Sequence, residues 1–120
     1  MATTDYSQVP IIQSSYQLAL DMQRLVAKFP KNLRFQIGDR LAWMTQDFFE
    51  ATIKANFIRD AALRCKALDA LSAEIFTIRM TIRMAKDLKT ISSGQYTEVN
   101  ARVEDIHKQL TGWTKWTQSK

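Results

Sequence analysis

The apolar residues of this chain recur every three or four positions in four separate stretches, and little between or within those stretches can break a helix. Ile11, Leu18, Met22, Leu25 and Phe29 form the first stripe, with Ser15 at its missing position. Ile37, Leu41, Met44, Phe48 and Ala51 form the second, Leu68, Leu71, Ile75, Ile78 and Ile82 the third, and Val99, Val103, Ile106, Leu110 and Trp113 the fourth. Each spacing places its residues on one side of an α-helix. Only three glycines and two prolines occur, and Pro10 and Pro30 both lie near the N-terminus, which argues against an all-β fold. The pattern predicts an all-α, antiparallel up-down four-helix bundle. Its helices fall at about 11–29, 35–56, 61–91 and 96–116, within a single domain over residues 1–120.

The boundaries follow from local chemistry. Pro30 stops the first helix, because the residue before a proline is pushed out of the helical region. A short basic connector, Lys31 to Arg34, leads into the second helix, whose Trp43 and Phe49 lie off the apolar stripe. Between the second and third helices, Asn56 to Asp60 contains neither glycine nor proline. Continuous helix from 35 to 91 would nevertheless reach about 85 Å, far beyond a small domain, and Asp60 can cap a new helix with its carboxylate. Ser92-Ser93-Gly94-Gln95 supplies the last turn.

A chain of 120 residues with 46% hydrophobic content can build a continuous core. Cys65 is the only cysteine, so there is no internal disulfide framework and a reducing compartment is expected. The first ten residues lack a basic run followed by an apolar stretch, and no apolar run is long enough to span a bilayer. A cytoplasmic protein is expected. The net charge of +5 favours polyanions or an acidic protein surface as partners, although a basic surface can also be merely solvated. The excess is concentrated in residues 61–90, where Arg64, Lys66, Arg79, Arg83, Lys86 and Lys89 face only Asp69, Glu74 and Asp87.

The third helix carries more apolar residues than a bundle core requires. Phe76, Met80 and Met84 fall about 150° around the helix from the Leu71, Ile75, Ile78, Ile82 stripe. Arg79, Arg83 and Lys86 lie between the two faces, within about 60° of one another. One reading gives the first face to the protomer core, the second to another copy, and the arginine row to a groove or channel suited to phosphate oxygens. The other is a wide hydrophobic face with basic residues at its rim. Trp43, Phe49, Trp113 and Trp116 are candidate exposed aromatics, although aromatics at helical spacing more often belong to a core.

Catalytic constellations are missing from the pattern. His107 is the only histidine, Cys65 is about forty residues away, and neither sits in a motif. Cys65 reads as a small buried hydrophobe and His107 as a partly exposed helix residue. Glu104-Asp105-Ile106-His107 has the Glu-x-x-His spacing of carboxylate-bridged metal bundles, but such a site needs two copies projecting inward. Glu104 falls about 160° from Ile106, so its carboxylate is expected in solvent, paired with Lys108. Gly38, Gly94 and Gly112 are too far apart for a phosphate-cradling loop. No enzyme activity, metal or cofactor is expected.

Lys28-Phe29-Pro30-Lys31-Asn32-Leu33-Arg34-Phe35-Gln36-Ile37-Gly38-Asp39-Arg40 resembles the signature at the first helix connection of a known family. That family joins 23S rRNA intervening-sequence proteins to the accessory variability determinant (Avd) proteins of diversity-generating retroelements. The intervening-sequence branch usually follows the signature with a stretch resembling Ser-Ile-Pro-Ala-Asn-Ile-Ala-Glu-Gly, whereas Leu41 to Phe57 here reads as uninterrupted helix. Met84-Ala85-Lys86-Asp87-Leu88-Lys89, Tyr96 and Gly112-Trp113 also resemble the Avd pattern. The resemblance covers roughly residues 16 to 116 and favours the Avd branch.

The resemblance implies a four-helix bundle assembling into a homopentameric barrel with a basic surface. It further implies an accessory factor that binds the retroelement's reverse transcriptase and its template RNA, with DNA as a second nucleic acid, during mutagenic cDNA synthesis. The residues expected to touch nucleic acid or polymerase are Arg79, Arg83, Lys86 and Lys89, with Lys31, Arg34 and Arg40 at the connector. Lys31 and Arg34 have a competing role as caps of helix ends. Phe76, Met80 and Met84 are the expected oligomer interface. Two other classes stay open: a generic nucleic-acid-binding bundle of the intervening-sequence type, and a protein-only scaffold.

Overall fold

The computed structural model describes residues 9–120. Helix α1 spans Val9–Val26, α2 Asp39–Phe57, α3 Ala61–Asp87 and α4 Ser93–Gln118, and no strand occurs among the described residues. Each helix packs on its two neighbours in the cycle α1–α2–α3–α4–α1, while diagonal helices barely touch. The result is an up-down four-helix bundle measuring 46 × 23 × 20 Å. Its two poles differ. One gathers the starts of α1 and α3 with the ends of α2 and α4, and the other gathers the α1–α2 connector with the α3–α4 turn.

A single core fills the interior. Leu18, Met22, Phe48, Leu68, Ile75, Ile78, Ile106 and Leu110 are essentially inaccessible, and each such side chain contributes about 1.5–3 kcal/mol by leaving water. Ser15 is buried in the stripe where its spacing placed it, while Leu25 and Ala51 sit at the core's edge.

The predicted helix boundaries need correcting at both ends of the connector. α1 stops at Val26 and not at 29, because Lys28 and Phe29 bond back to Leu25 and Val26 in a turn that still buries Phe29. The segment Lys31 to Arg34, expected as a short connector between helices, is itself helical. Lys31–Leu33 form one turn, and Arg34–Gly38 continue as a π-helical turn leading directly into α2. The wider turn buries Ile37 and leaves Phe35 exposed. Gly38 makes this approach possible, because a Cβ there would lie 2.8 Å from Val26 Cγ1 and 3.3 Å from Phe29 Cδ2.

At the other end of α2, Ile58 turns to extended backbone and the Asp60 carboxylate accepts the Leu63 N–H at 2.9 Å. This is the expected cap. α3 ends at Asp87 and not at 91, since Lys89 takes a left-handed conformation with φ 63°. Thr90 N–H bonds to Ala85 O and Lys89 N–H to Lys86 O, the two bonds of a Schellman closure whose left-handed position usually holds glycine. α4 starts three residues earlier than expected. Ser92 Oγ accepts the Gln95 N–H at 3.0 Å while Gln95 Oε1 accepts the Ser92 N–H at 2.8 Å, a reciprocal cap that satisfies two backbone donors. α4 runs on to Gln118.

Candidate nucleic-acid interface

The long third helix has two apolar faces in the structure as in the sequence. Ile75, Ile78 and Ile82 are buried, whereas Phe76, Met80 and Met84 are 61%, 51% and 57% exposed. Burial of the first set fixes the rotation of α3, so the second set faces outward as a stripe i, i+4, i+8 along one side. Arg79 is half-buried and shares the α3–α4 cleft with Ile75, Phe76, Val103 and His107. Arg83 is exposed and pairs with Asp87 one turn on, Nε to Oδ2 at 3.4 Å. Lys86 places Nζ 4.7 Å from the centroid of the Tyr96 ring on α4. The basic row therefore runs along the α4 side of the stripe towards the connector pole.

Lys89 sits at that pole in the α3–α4 turn, and Lys31 is exposed there in the connector. Arg34 is half-buried, and its Nη2 donates to Phe29 O at 3.4 Å while Nε has no partner among the described residues. It ties the connector to the end of α1, the capping role that competes with nucleic-acid contact. Arg40 stands apart. It lines the groove between α2 and α3 with Trp43, Met44 and Glu74, on the opposite side of α3 from the Arg79 cleft.

Several features had no signal in the spacing. Across the α2–α3 seam, burial pushes the Glu74 carboxyl from 4.5 to about 7, helped by the hydrogen bond and charge of Asp47. Between α1 and α4, Arg102 Nε lies 3.3 Å from Asp21 Oδ2. Such pairs depend on which helices become neighbours, and periodicity on one helix does not reveal that. Other local expectations need correction. Glu104 takes the Asn100 amide at 3.3 Å and not Lys108. Cys65, expected to be buried, is half-buried, whereas His107 is an exposed residue of α4, in line with its expectation. Trp43 is exposed at 66%, but Phe49 packs edge-on against Tyr16 at 5.6 Å and Trp113 is buried.

Among the described residues no helix is long and apolar enough to cross a membrane, and no group of three or more His, Cys, Asp or Glu could hold a metal ion. A family model described as bAvd-like matches residues 10–117. No curated protein and no solved structure matches the chain.

Proposed function

The chain belongs to the bAvd-like family, and from that membership we propose that it is a non-catalytic accessory protein of a diversity-generating retroelement. In this reading the whole chain, residues 1–120, acts in the cytoplasm as one domain. Five copies form a barrel, and the assembly binds the element's reverse transcriptase and its template RNA while the polymerase performs mutagenic cDNA synthesis.

The observation that carries the reading is the layout of α3. An exposed stripe, Phe76, Met80 and Met84, offers apolar surface to a second copy, and a row of cations runs beside it. In a ring of copies each row would be repeated around the assembly, summing weak phosphate contacts into a polyanion-binding surface. Arg79, Arg83, Lys86 and Lys89 are the primary contacts. Lys31 extends the row at the pole. Arg40 forms a separate contact on the α2 side, and Arg34 contributes by holding the connector in place.

A salt titration of single-stranded RNA binding tests this. Log affinity should fall linearly with log salt, and replacing Arg79 and Arg83 with alanine should reduce the slope by about 0.7 for each phosphate that is no longer neutralised. Unchanged affinity and slope in that variant would remove these residues from the interface. Co-purification with a retroelement reverse transcriptase, sought first among neighbouring genes, tests the partner, and failure to find or retain one would leave a nucleic-acid-binding bundle without a polymerase role.

A further inference from the structure

The pole opposite the connector contains an aromatic and cationic cluster separate from the basic row. The Arg64 guanidinium from the first turn of α3 lies 5.9 Å from the Trp113 ring centroid and 6.0 Å from that of Trp116. Lys120 Nζ lies 4.2 Å from the Trp116 ring. The two tryptophans differ in accessibility, with Trp113 6% exposed and Trp116 37%. Trp116 and Trp113 line a groove of about 320 Å³ with Pro10, Ile11, Gln109 and Gly112. Among the described residues, nothing beyond the backbone of α4 itself lies within 4 Å of where a Gly112 Cβ would be.

Buried polar atoms in and beside this groove also lack partners among the described residues. Trp113 Nε1 is a buried donor without a partner. Gln109 gives its amide N–H groups to Ser14 Oγ and Asp105 Oδ2, and its Oε1 is left as an acceptor without one. Arg64 Nε is likewise unpartnered. The accessible ring of Trp116 offers a face on which a nucleobase can stack, and the cations beside it match the flanking phosphates.

We propose that Trp116 and this groove bind an unpaired base of single-stranded RNA, with Lys120 and Arg64 turned to the flanking phosphates. The proposal rests on the reading of the chain as a nucleic-acid-binding protein and adds a second contact at the far pole. The base stacks on the Trp116 face that Lys120 now covers, and the displaced ammonium moves to the backbone. The groove is at the small end of the range for ligand pockets, roughly 300–1,000 Å³, which suits one base and not a duplex. Base stacking on an aromatic ring is sequence-tolerant because every base has a π-face.

The test uses the intact protein and a labelled single-stranded oligoadenylate RNA, comparing wild type with Trp116→Ala, Trp116→Phe and the Arg79→Ala/Arg83→Ala variant. Helical content of each is checked by circular dichroism. The expected result is that Trp116→Ala weakens binding about tenfold with its salt slope unchanged, that Trp116→Phe restores most of the affinity, and that RNA quenches tryptophan fluorescence in the wild type but much less in Trp116→Ala. RNA binding by the wild type that Trp116→Ala leaves unaltered would overturn the base site while sparing the basic row. Failure of Trp116→Phe to recover affinity while its fold is intact would also overturn stacking. No RNA binding by the wild type at low salt would remove both this site and the reading it rests on.

Discussion

Asp47 on α2 and Glu74 on α3 share a hydrogen bond between their carboxyl groups across the helix seam, and Glu74 holds its proton up to about pH 7. Burial disfavours the Glu74 carboxylate first, and the neighbouring Asp47 adds to the effect. Arg40 lines the same groove without reversing it.

This pair makes stability depend on pH in a definite direction. Between about 4.5 and about 7 the folded protein keeps a Glu74 proton that the unfolded chain has released, so this group's contribution is full below about 4.5 and is lost as pH rises through about 7. Glu74→Gln keeps a hydrogen bond and cannot ionise. Its melting temperature should exceed that of the wild type by a few degrees at pH 8 and converge on it near pH 5. Parallel curves for the two proteins across that range would rule the pair out as a titrating unit.

Gly38 serves close approach and not unusual backbone, since its φ is −62°. A methyl group there meets Val26 Cγ1 at 2.8 Å, and overpacking of this kind costs about 1–3 kcal/mol. Gly38→Ala should lose that much in chemical denaturation. Adding Val26→Ala should recover part of the Gly38→Ala loss, beyond what the Val26→Ala cavity predicts by itself. Simple additivity of the two substitutions would place the strain elsewhere in the connector.

Lys89 should give opposite signs in two assays. A non-glycine residue in the left-handed region carries a penalty of about 1 kcal/mol, so Lys89→Gly should raise stability by about that amount. If Lys89 is a phosphate contact, the same variant binds RNA more weakly and its salt slope falls by about 0.7. Lys89→Ala separates the two effects, because it removes the charge and keeps the strain. Higher stability with unaltered RNA binding would make Lys89 a turn residue only.

The fold was legible because one physical rule, a period near 3.6 residues, operates along the whole chain. It placed Ser15 in the core and separated Ile75, Ile78 and Ile82 from Phe76, Met80 and Met84 on one helix. Where local chemistry overrides the period, the boundaries shifted. Lys89 ends α3 in a conformation for which lysine gives no warning, and the helical turn at Lys31–Leu33 carries helix through a stretch that reads as a connector. The interface was less legible. Positions on α3 could be projected from its own sequence, but the Asp47–Glu74 seam, the separation of Arg40 from Arg79, and the Arg64–Trp116 pairing depend on neighbours chosen by tertiary packing.

Met80 is where assembly is most directly tested. It is half exposed in the isolated bundle, midway along the Phe76–Met84 stripe, so Met80→Glu should leave the protomer's helical content and core intact. Within an oligomer the same carboxylate would lose water against an apolar surface while Arg83 one turn on is already paired with Asp87, so the penalty is several kcal/mol per copy. Light scattering should therefore give a mass near five protomers for the wild type and one protomer for Met80→Glu. Phe76→Ala should lie between them, since it loses apolar area without introducing charge. A five-protomer mass in all three proteins would move the interface off this stripe, and a monomeric wild type would leave its exposure to be explained by a different partner.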